Sequence, residues 1–194
     1  MTGPDFTQRD VRLDPFPHLR AKDVVPEDVA SGMLDWLDGA APWSLTHASF
    51  YDQHEFSMLS VDLPHAFEPL VSDLYVSSIA QELHASLGAG PLELVDVNVH
   101  RLVSGMTIRL HNDFLGSNEE SHRMLVQLNR GWSVAQGGLL MLFEGDAPES
   151  LKDIVLPAHR SGFGFEISQH SHHAVSTIHS GVRDTLVYTY RRKP

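Results

Sequence analysis

Residues 92–190 form a succession of short runs rich in β-forming residues, each closed by a turn signal, and this pattern belongs to a β-sandwich or barrel. The runs cover residues 97–102, 108–113, 123–129, 137–143, 153–156, 163–167 and 185–190, with turns at Gly105 and at Gly145-Asp146-Ala147-Pro148. Ahead of them the period changes. Pro26 opens a helix over 27–37, with Val29, Met33, Leu34 and Leu37 on one stripe and Trp36 beside it. Gly39-Ala40-Ala41-Pro42 ends it. Residues 43–62 alternate weakly and read as strands joined by a turn near Asp52-Gln53. A second helix over 70–87 carries Leu70, Leu74, Ile79, Leu83 and Leu87 until Gly88-Ala89-Gly90-Pro91 stops it. Residues 15–20 read as a short extended segment, and 1–10 as a frayed end. At 194 residues the expectation is one domain: 1–91 a mostly helical support, 92–190 the β core.

Within that core, residues 108–113 read Ile-Arg-Leu-His-Asn-Asp, a strand ending on His111 and Asp113. Residues i and i+2 of a strand share a face, so an imidazole and a carboxylate converge there and fill two cis positions around a metal. A third ligand must come from far along the chain. Ser171-His172-His173-Ala174-Val175 offers one, and Arg183 stands ten residues after His173 in Gly181-Val182-Arg183-Asp184-Thr185. Two histidines and one carboxylate on one face, with open positions opposite, is the non-heme iron(II) arrangement.

The order of these segments resembles the iron(II)- and 2-oxoglutarate-dependent oxygenases, most closely the prolyl 4-hydroxylase-like branch. Val97-Asn98-Val99-His100-Arg101-Leu102 precedes the His111/Asp113 strand. Arg123-Met124-Leu125-Val126-Gln127-Leu128-Asn129 is similar to the family's "R…YLN" strand. Trp132 and Gly137-Gly138-Leu139-Leu140-Met141-Leu142-Phe143 are similar to its "W…GGxLxLF" segment. The resemblance implies a mainly β fold, a double-stranded β-helix (jelly-roll) core with N-terminal helices packed on it. It implies iron(II) held by His111, Asp113 and His173, with 2-oxoglutarate and O2 as cosubstrates. Arg183 would pair with the far carboxylate of 2-oxoglutarate and Thr185 would assist. Gln127 stands where the family usually has Tyr, and Leu102 where a Tyr often precedes it; the Gln127 amide can donate in its place. The implied reaction is hydroxylation with release of succinate and CO2. Family members that halogenate have a small residue where Asp113 stands, so the carboxylate points to hydroxylation, or to desaturation or ring closure. A non-catalytic jelly-roll module that binds a metal or ligand is a second reading, and Arg183 weighs against it, since such a module needs no carboxylate anchor. A zinc or manganese hydrolase or isomerase on a jelly roll is a third.

Composition narrows the partners. The formal charge of −11 repels phosphate backbones, so nucleic acid is not expected, and Arg191-Arg192-Lys193 reads as a solvated tail. No apolar run approaches a membrane span, so a cytoplasmic protein is expected, with a homodimer allowed for. Without cysteine there is no thiolate metal site. The expected substrate is a small molecule or peptide, an amino acid or something derived from one. Its recognition is expected from loop 114–121 and segment 43–56. Asn98, His100 and Arg101 are candidate substrate contacts; Arg109, on the face of His111, points inward or sits on the rim. Gly137-Gly138 reads as a structural close approach. His18, His47, His54, His65 and His84 have no partner pattern and read as surface or satisfied core residues.

Overall fold

The computed structural model describes residues 3–116 and 119–193. The chain opens with β1 (Arg9–Arg12) and β2 (His18–Ala21), paired antiparallel. The stretch expected to fray therefore runs into an ordered edge strand. Helix α1 (Glu27–Gly39) follows, with Pro26 at its N-cap, where a missing N–H costs nothing. The predicted stripe faces inward through Met33 and Leu37, joined by Ala30. A hairpin of β3 (Ser44–His47) and β4 (Asp52–Ser57) comes next.

The second helix, α2 (Asp73–Leu87), starts three residues later than its apolar pattern suggests. Glu68–Val71 forms a 3-10 turn, and Ser72 accepts a bond from the Tyr75 amide to cap α2. That start sets which face is buried. Tyr75, Val76, Ile79 and Leu83 turn inward, whereas Leu74, expected on the apolar side, is 67% exposed. Gly88 closes the helix at φ +68°, in the left-handed region.

The remaining strands are β5 (Leu92–Val103), β6 (Ile108–His111), β7 (His122–Gln127), β8 (Leu140–Phe143), β9 (Leu151–Val155), β10 (Gly162–Glu166), β11 (His173–Val175) and β12 (Val182–Arg192). They form two antiparallel sheets. The larger runs β1-β2-β10-β7-β12-β5-β4-β3 and the smaller β6-β11-β8-β9. Half of the larger sheet thus comes from the N-terminal segment expected to be mostly helical. β1 and β2 extend the β10 edge, and β4 and β3 extend the β5 edge, covering backbone that would otherwise be unpaired.

Two apolar clusters make three layers. One packs α1 and α2 against the larger sheet through Met33, Leu37, Ile79, Leu83, Met124, Val126, Leu186 and Tyr188. The other lies between the sheets and joins Leu102, Phe163 and Phe165 to Leu140, Leu142 and Val175. β12 is covered on both faces and is buried without a break from Arg183 to Tyr190. The fold is mainly β with two helices on one side, as the sequence predicts.

Candidate metal and cosubstrate site

β6 pairs with β11 so that His111 stands directly opposite His173. Two histidines 62 positions apart in sequence become cross-strand neighbours, with ring centroids 4.3 Å apart. Asp113 reaches them differently from the expected strand alternation. β6 ends at His111, and Asp113 lies beyond it at φ +60°, a left-handed conformation that Asp tolerates better than most residues. The turn is held by the Asn112 side chain, which accepts from the Phe114 amide, and by Ser171 Oγ, which donates to the Asn112 carbonyl. It brings Asp113 Oδ1 to 3.3 Å from His111 Nε2, and Oδ2 to 3.3 Å from His173 Nε2.

The tautomers follow from the backbone. His111 Nδ1 donates to the Arg109 carbonyl at 2.7 Å, and His173 Nδ1 to the Ser171 carbonyl at 2.8 Å. With Nδ1 protonated, each neutral ring turns an Nε2 lone pair toward a carboxylate oxygen. Lone pairs facing at that distance are stabilised by a cation between them. One donor atom from each of the three residues lies within 4.8 Å of the others. Two imidazoles and one carboxylate therefore fit an iron(II) ion and leave the opposite side open. Burial pushes the Asp113 carboxyl up, but the charge of Arg123 opposes it, and the carboxyl lies well below the usual range. Burial also lowers His173 from its ordinary value, keeping the ring in the neutral form a metal needs. Phe50 stacks on His111 and Phe165 meets His173 edge-on, so both rings are fixed from behind.

These residues open onto a cavity of about 280 Å³. Its inner end is Arg183, 3% exposed on the fully covered β12. Nη1 donates to Thr185 Oγ1 at 3.1 Å, while Nε has no hydrogen-bond partner among the described residues. Burial lowers the guanidinium to about 10, so it stays charged at neutral pH. A buried cation without a carboxylate is costly, and a dicarboxylate reaching in from the metal would relieve that cost. Thr185 passes the bond on to Gln127 Oε1 at 2.9 Å. Gln127 is not on the cavity wall. It stands behind Thr185 and accepts from its hydroxyl. Leu102 lines the wall where a Tyr often stands in the family. Gly138, at φ +64°, makes room for this end: an added Cβ would lie 3.0 Å from Arg183 Cδ and 2.5 Å from Ile178 Cδ1.

Other expected neighbours divide. Asn98 and His100 line the cavity from β5. Arg101 alternates to the other face and pairs with Asp184 and Asp38. Arg109 is exposed and donates to the Ser49 carbonyl, which ties down the loop carrying Phe50. His172 is not part of the clustered donor set and does not line this cavity; it lines an adjoining depression with Phe114 and Leu115, which His111 and Asp113 also border. Part of loop 114–121, Ser117 and Asn118, lies outside the described residues. The wall also holds Arg123, Glu120, Gln53 and Glu55, none of them singled out as a side chain from the sequence, although Glu120 lies in loop 114–121 and Gln53 and Glu55 in segment 43–56, where substrate recognition is expected. Arg123 was visible only as a motif position; in the weakly alternating segment 43–56 nothing marked Gln53 and Glu55 above their neighbours.

A family model described as the 2OG-Fe(II) oxygenase superfamily matches residues 97–188, which hold every one of these candidate ligands. No curated protein matches in sequence. Among solved structures, a Pseudomonas putida prolyl-4-hydroxylase is similar over 91% of this chain and 93% of its own, at 18% identity and a TM-score of 0.69. A Trichoplax adhaerens prolyl hydroxylase, solved with a hypoxia inducible factor peptide, is similar over 90% and 83%, at 14% identity and a TM-score of 0.73. HygX from Streptomyces hygroscopicus, solved with nickel, 2-oxoglutarate and hygromycin B, is similar over 91% and 83%, at 13% identity and a TM-score of 0.64. They share the double-stranded β-helix fold with this chain. The family requires iron(II), 2-oxoglutarate and O2, and the matched segment, a little under half of the chain, carries the donor set for them: the match and the shared fold support a 2-oxoglutarate-dependent dioxygenase.

Proposed function

We propose that the enzyme hydroxylates an unactivated carbon of an amino acid, a peptide or an amino-acid-derived natural product. His111, Asp113 and His173 hold iron(II), and Arg183 with Thr185 holds the far carboxylate of 2-oxoglutarate. The observation that carries this is one cavity with a His/Asp/His cluster at one end and a buried, anion-seeking guanidinium at the other. Iron(II), when bound, supplies oxygen activation coupled to decarboxylation of 2-oxoglutarate to succinate and CO2. The chain's own work is positional. The backbone bonds to both Nδ1 atoms hold each Nε2 ready for metal, and Arg123 holds Asp113 ionised. Phe50, Leu102, Leu125 and Val187 line the space around them with apolar surface that limits water.

The cavity is at the small end of the ~300–1,000 Å³ usual for ligand sites. Once 2-oxoglutarate is in place, it admits a fragment the size of one side chain. That supports a small substrate, or a single residue of a larger one. Both the charge of −11 and the carboxylates on the wall disfavour nucleic acid. No helix of the described residues is long and apolar enough to cross a membrane. Desaturation or ring closure would use the same residues. The test incubates enzyme with iron(II), ascorbate, 2-oxoglutarate and pools of amino acids, peptides and oligonucleotides. Succinate together with a product heavier by one oxygen supports hydroxylation. Loss of two hydrogens assigns desaturation or ring closure, and a product confined to the oligonucleotides overturns the proposal.

A further inference from the structure

The outer wall of the cavity carries a charge that no Lys or Arg among the described residues neutralises. Gln53 and Glu55 are i and i+2 on β4 and so present one face. β4 pairs with β5 in a register that sets Glu55 against His100. His100 Nε2 is 3.7 Å from the Glu55 carboxylate, outside hydrogen-bond range. Burial lowers His100 to about 4 despite the pull of Glu55, so the ring is neutral at working pH. No Lys or Arg among the described residues forms an ion pair with Glu55, whose side chain is 26% exposed. The wall holds three carboxylates, Glu55, Asp113 and Glu120, against two guanidiniums, Arg123 and Arg183. Arg123 bridges Asp113 and Glu120. Iron(II) and the 2-oxoglutarate dianion cancel each other, so the single negative charge of Glu55 survives loading of the site.

A second observation points the same way. The Gln53 amide nitrogen donates to Glu55 Oε2, an orientation forced by the carboxylate, since the amide oxygen would face it as a second acceptor. Gln53 Oε1 is thereby turned elsewhere. The residue is 2% exposed, and that oxygen has no donor among the described residues. Buried acceptors are normally satisfied. A carboxylate without a counter-ion and a buried carbonyl without a donor, on one face of one strand and in one cavity, together ask for a group that is both cationic and a multiple donor.

We infer that Glu55 and Gln53 form a subsite for a protonated amine or guanidinium on the substrate, and that this cation orients the carbon to be hydroxylated. The inference rests on the proposed reading of the cavity and narrows its substrate class to cationic molecules. The covalent step is that of the proposed function: one atom of O2 enters a C–H bond to give the alcohol, and the other leaves in succinate.

The test uses the whole protein loaded with nickel(II) and 2-oxoglutarate, which completes the site without turnover, and measures affinity by calorimetry. The probes are lysine against norleucine, arginine against citrulline, and the same four as N-acetyl amides. The blocked forms separate an α-ammonium from a side-chain cation, and so a free amino acid from a residue within a peptide. The expected result is that one cation position binds about tenfold or more tighter than its neutral match. In Glu55→Gln that ratio should collapse toward one, and in Gln53→Met it should fall part of the way. The ratio is internal to each variant, and thermal unfolding checks that each is folded. Cationic probes that bind no better than neutral ones, or do not bind at all, overturn the inference. So does a cation preference that Glu55→Gln leaves intact. Succinate formation by the wild-type enzyme with iron(II) reads the proposed function separately, so the two can fail independently.

Discussion

Arg123 Nη1 lies 2.8 Å from Asp113 Oδ2, the same oxygen that faces His173 Nε2. The guanidinium also reaches Glu120 at 2.8 Å, so it is anchored from the loop side while it holds the ligand. A carboxylate that is 7% exposed needs such a partner to stay ionised and in one rotamer. Replacement of Arg123 by Met should weaken iron(II) binding by about ten- to a hundredfold, the usual cost of losing a group that orients a metal ligand. Arg123→Lys should recover part of that loss. Equilibrium metal titration of the three proteins decides the matter, and equal affinities would show that Arg123 acts elsewhere.

The ligand set makes a sharper prediction because two adjacent histidines compete for one role. His111→Ala, Asp113→Ala and His173→Ala should each abolish succinate formation and bound iron while the protein still unfolds cooperatively. His172→Ala should keep most activity, because its ring is not among the donor atoms that cluster at the site. An inactive His172 variant beside an active His173 variant would reverse the assignment.

The parts of this site that were legible in the sequence are those fixed by order along the chain. His111, His173 and Arg183 sit on strands whose alternation sets their face, and register then brings the strands together. Asp113 was found by its spacing from His111, although a left-handed turn delivers it and not the strand. Arg101 and Arg109 show the limit of that reasoning. Each lies on or beside a cavity strand, yet a partner outside the cavity, Asp184 for one and the Ser49 carbonyl for the other, claims the side chain. Gln53 and Glu55 were legible only as part of segment 43–56, from which substrate recognition is expected, and not as individual side chains. Their meaning comes from β4 joining the edge of β5, a non-local pairing with no mark in a polar segment. Leu74 failed for a local reason, since the cap at Ser72 set the phase of α2.

At the other end of the cavity, Arg183 and Gly138 should fail in the same direction. Arg183→Ala should raise the KM for 2-oxoglutarate by two to three decades, since breaking a buried pair costs ~3–5 kcal/mol. Gly138→Ala should raise it less, because the added methyl crowds the Arg183 stem at 3.0 Å and is itself strained at φ +64°. Iron(II) affinity should change little in either. Saturation by 2-oxoglutarate that is unchanged in Arg183→Ala would remove the guanidinium from its assigned role.

The last prediction concerns acid stability and a histidine remote from the chemistry. His122 is 0% exposed on β7, with Nδ1 3.0 Å from Ser121 Oγ and Nε2 without a partner among the described residues. Burial, assisted by Arg192 and opposed by Glu166, lowers it from 6.5 to about 4. The unfolded chain therefore binds a proton between those values that the folded chain does not, and stability rises with pH across the window. Above pH 6.5 the contribution is whole, and it is lost as pH falls toward 4. At most ~3 kcal/mol is at stake for this one group, because each tenfold loss of proton affinity on folding is worth ~1.4 kcal/mol. His122→Asn removes the proton site and keeps a polar group near Ser121. Urea unfolding at pH 7 and near pH 4.5 should show a smaller acid loss in the variant than in the wild type, whatever their stabilities at neutral pH. Other buried histidines, His18 and His100 among them, contribute equally to both proteins and drop out of that difference. Identical acid losses would mean that His122 takes up its proton without opening the fold.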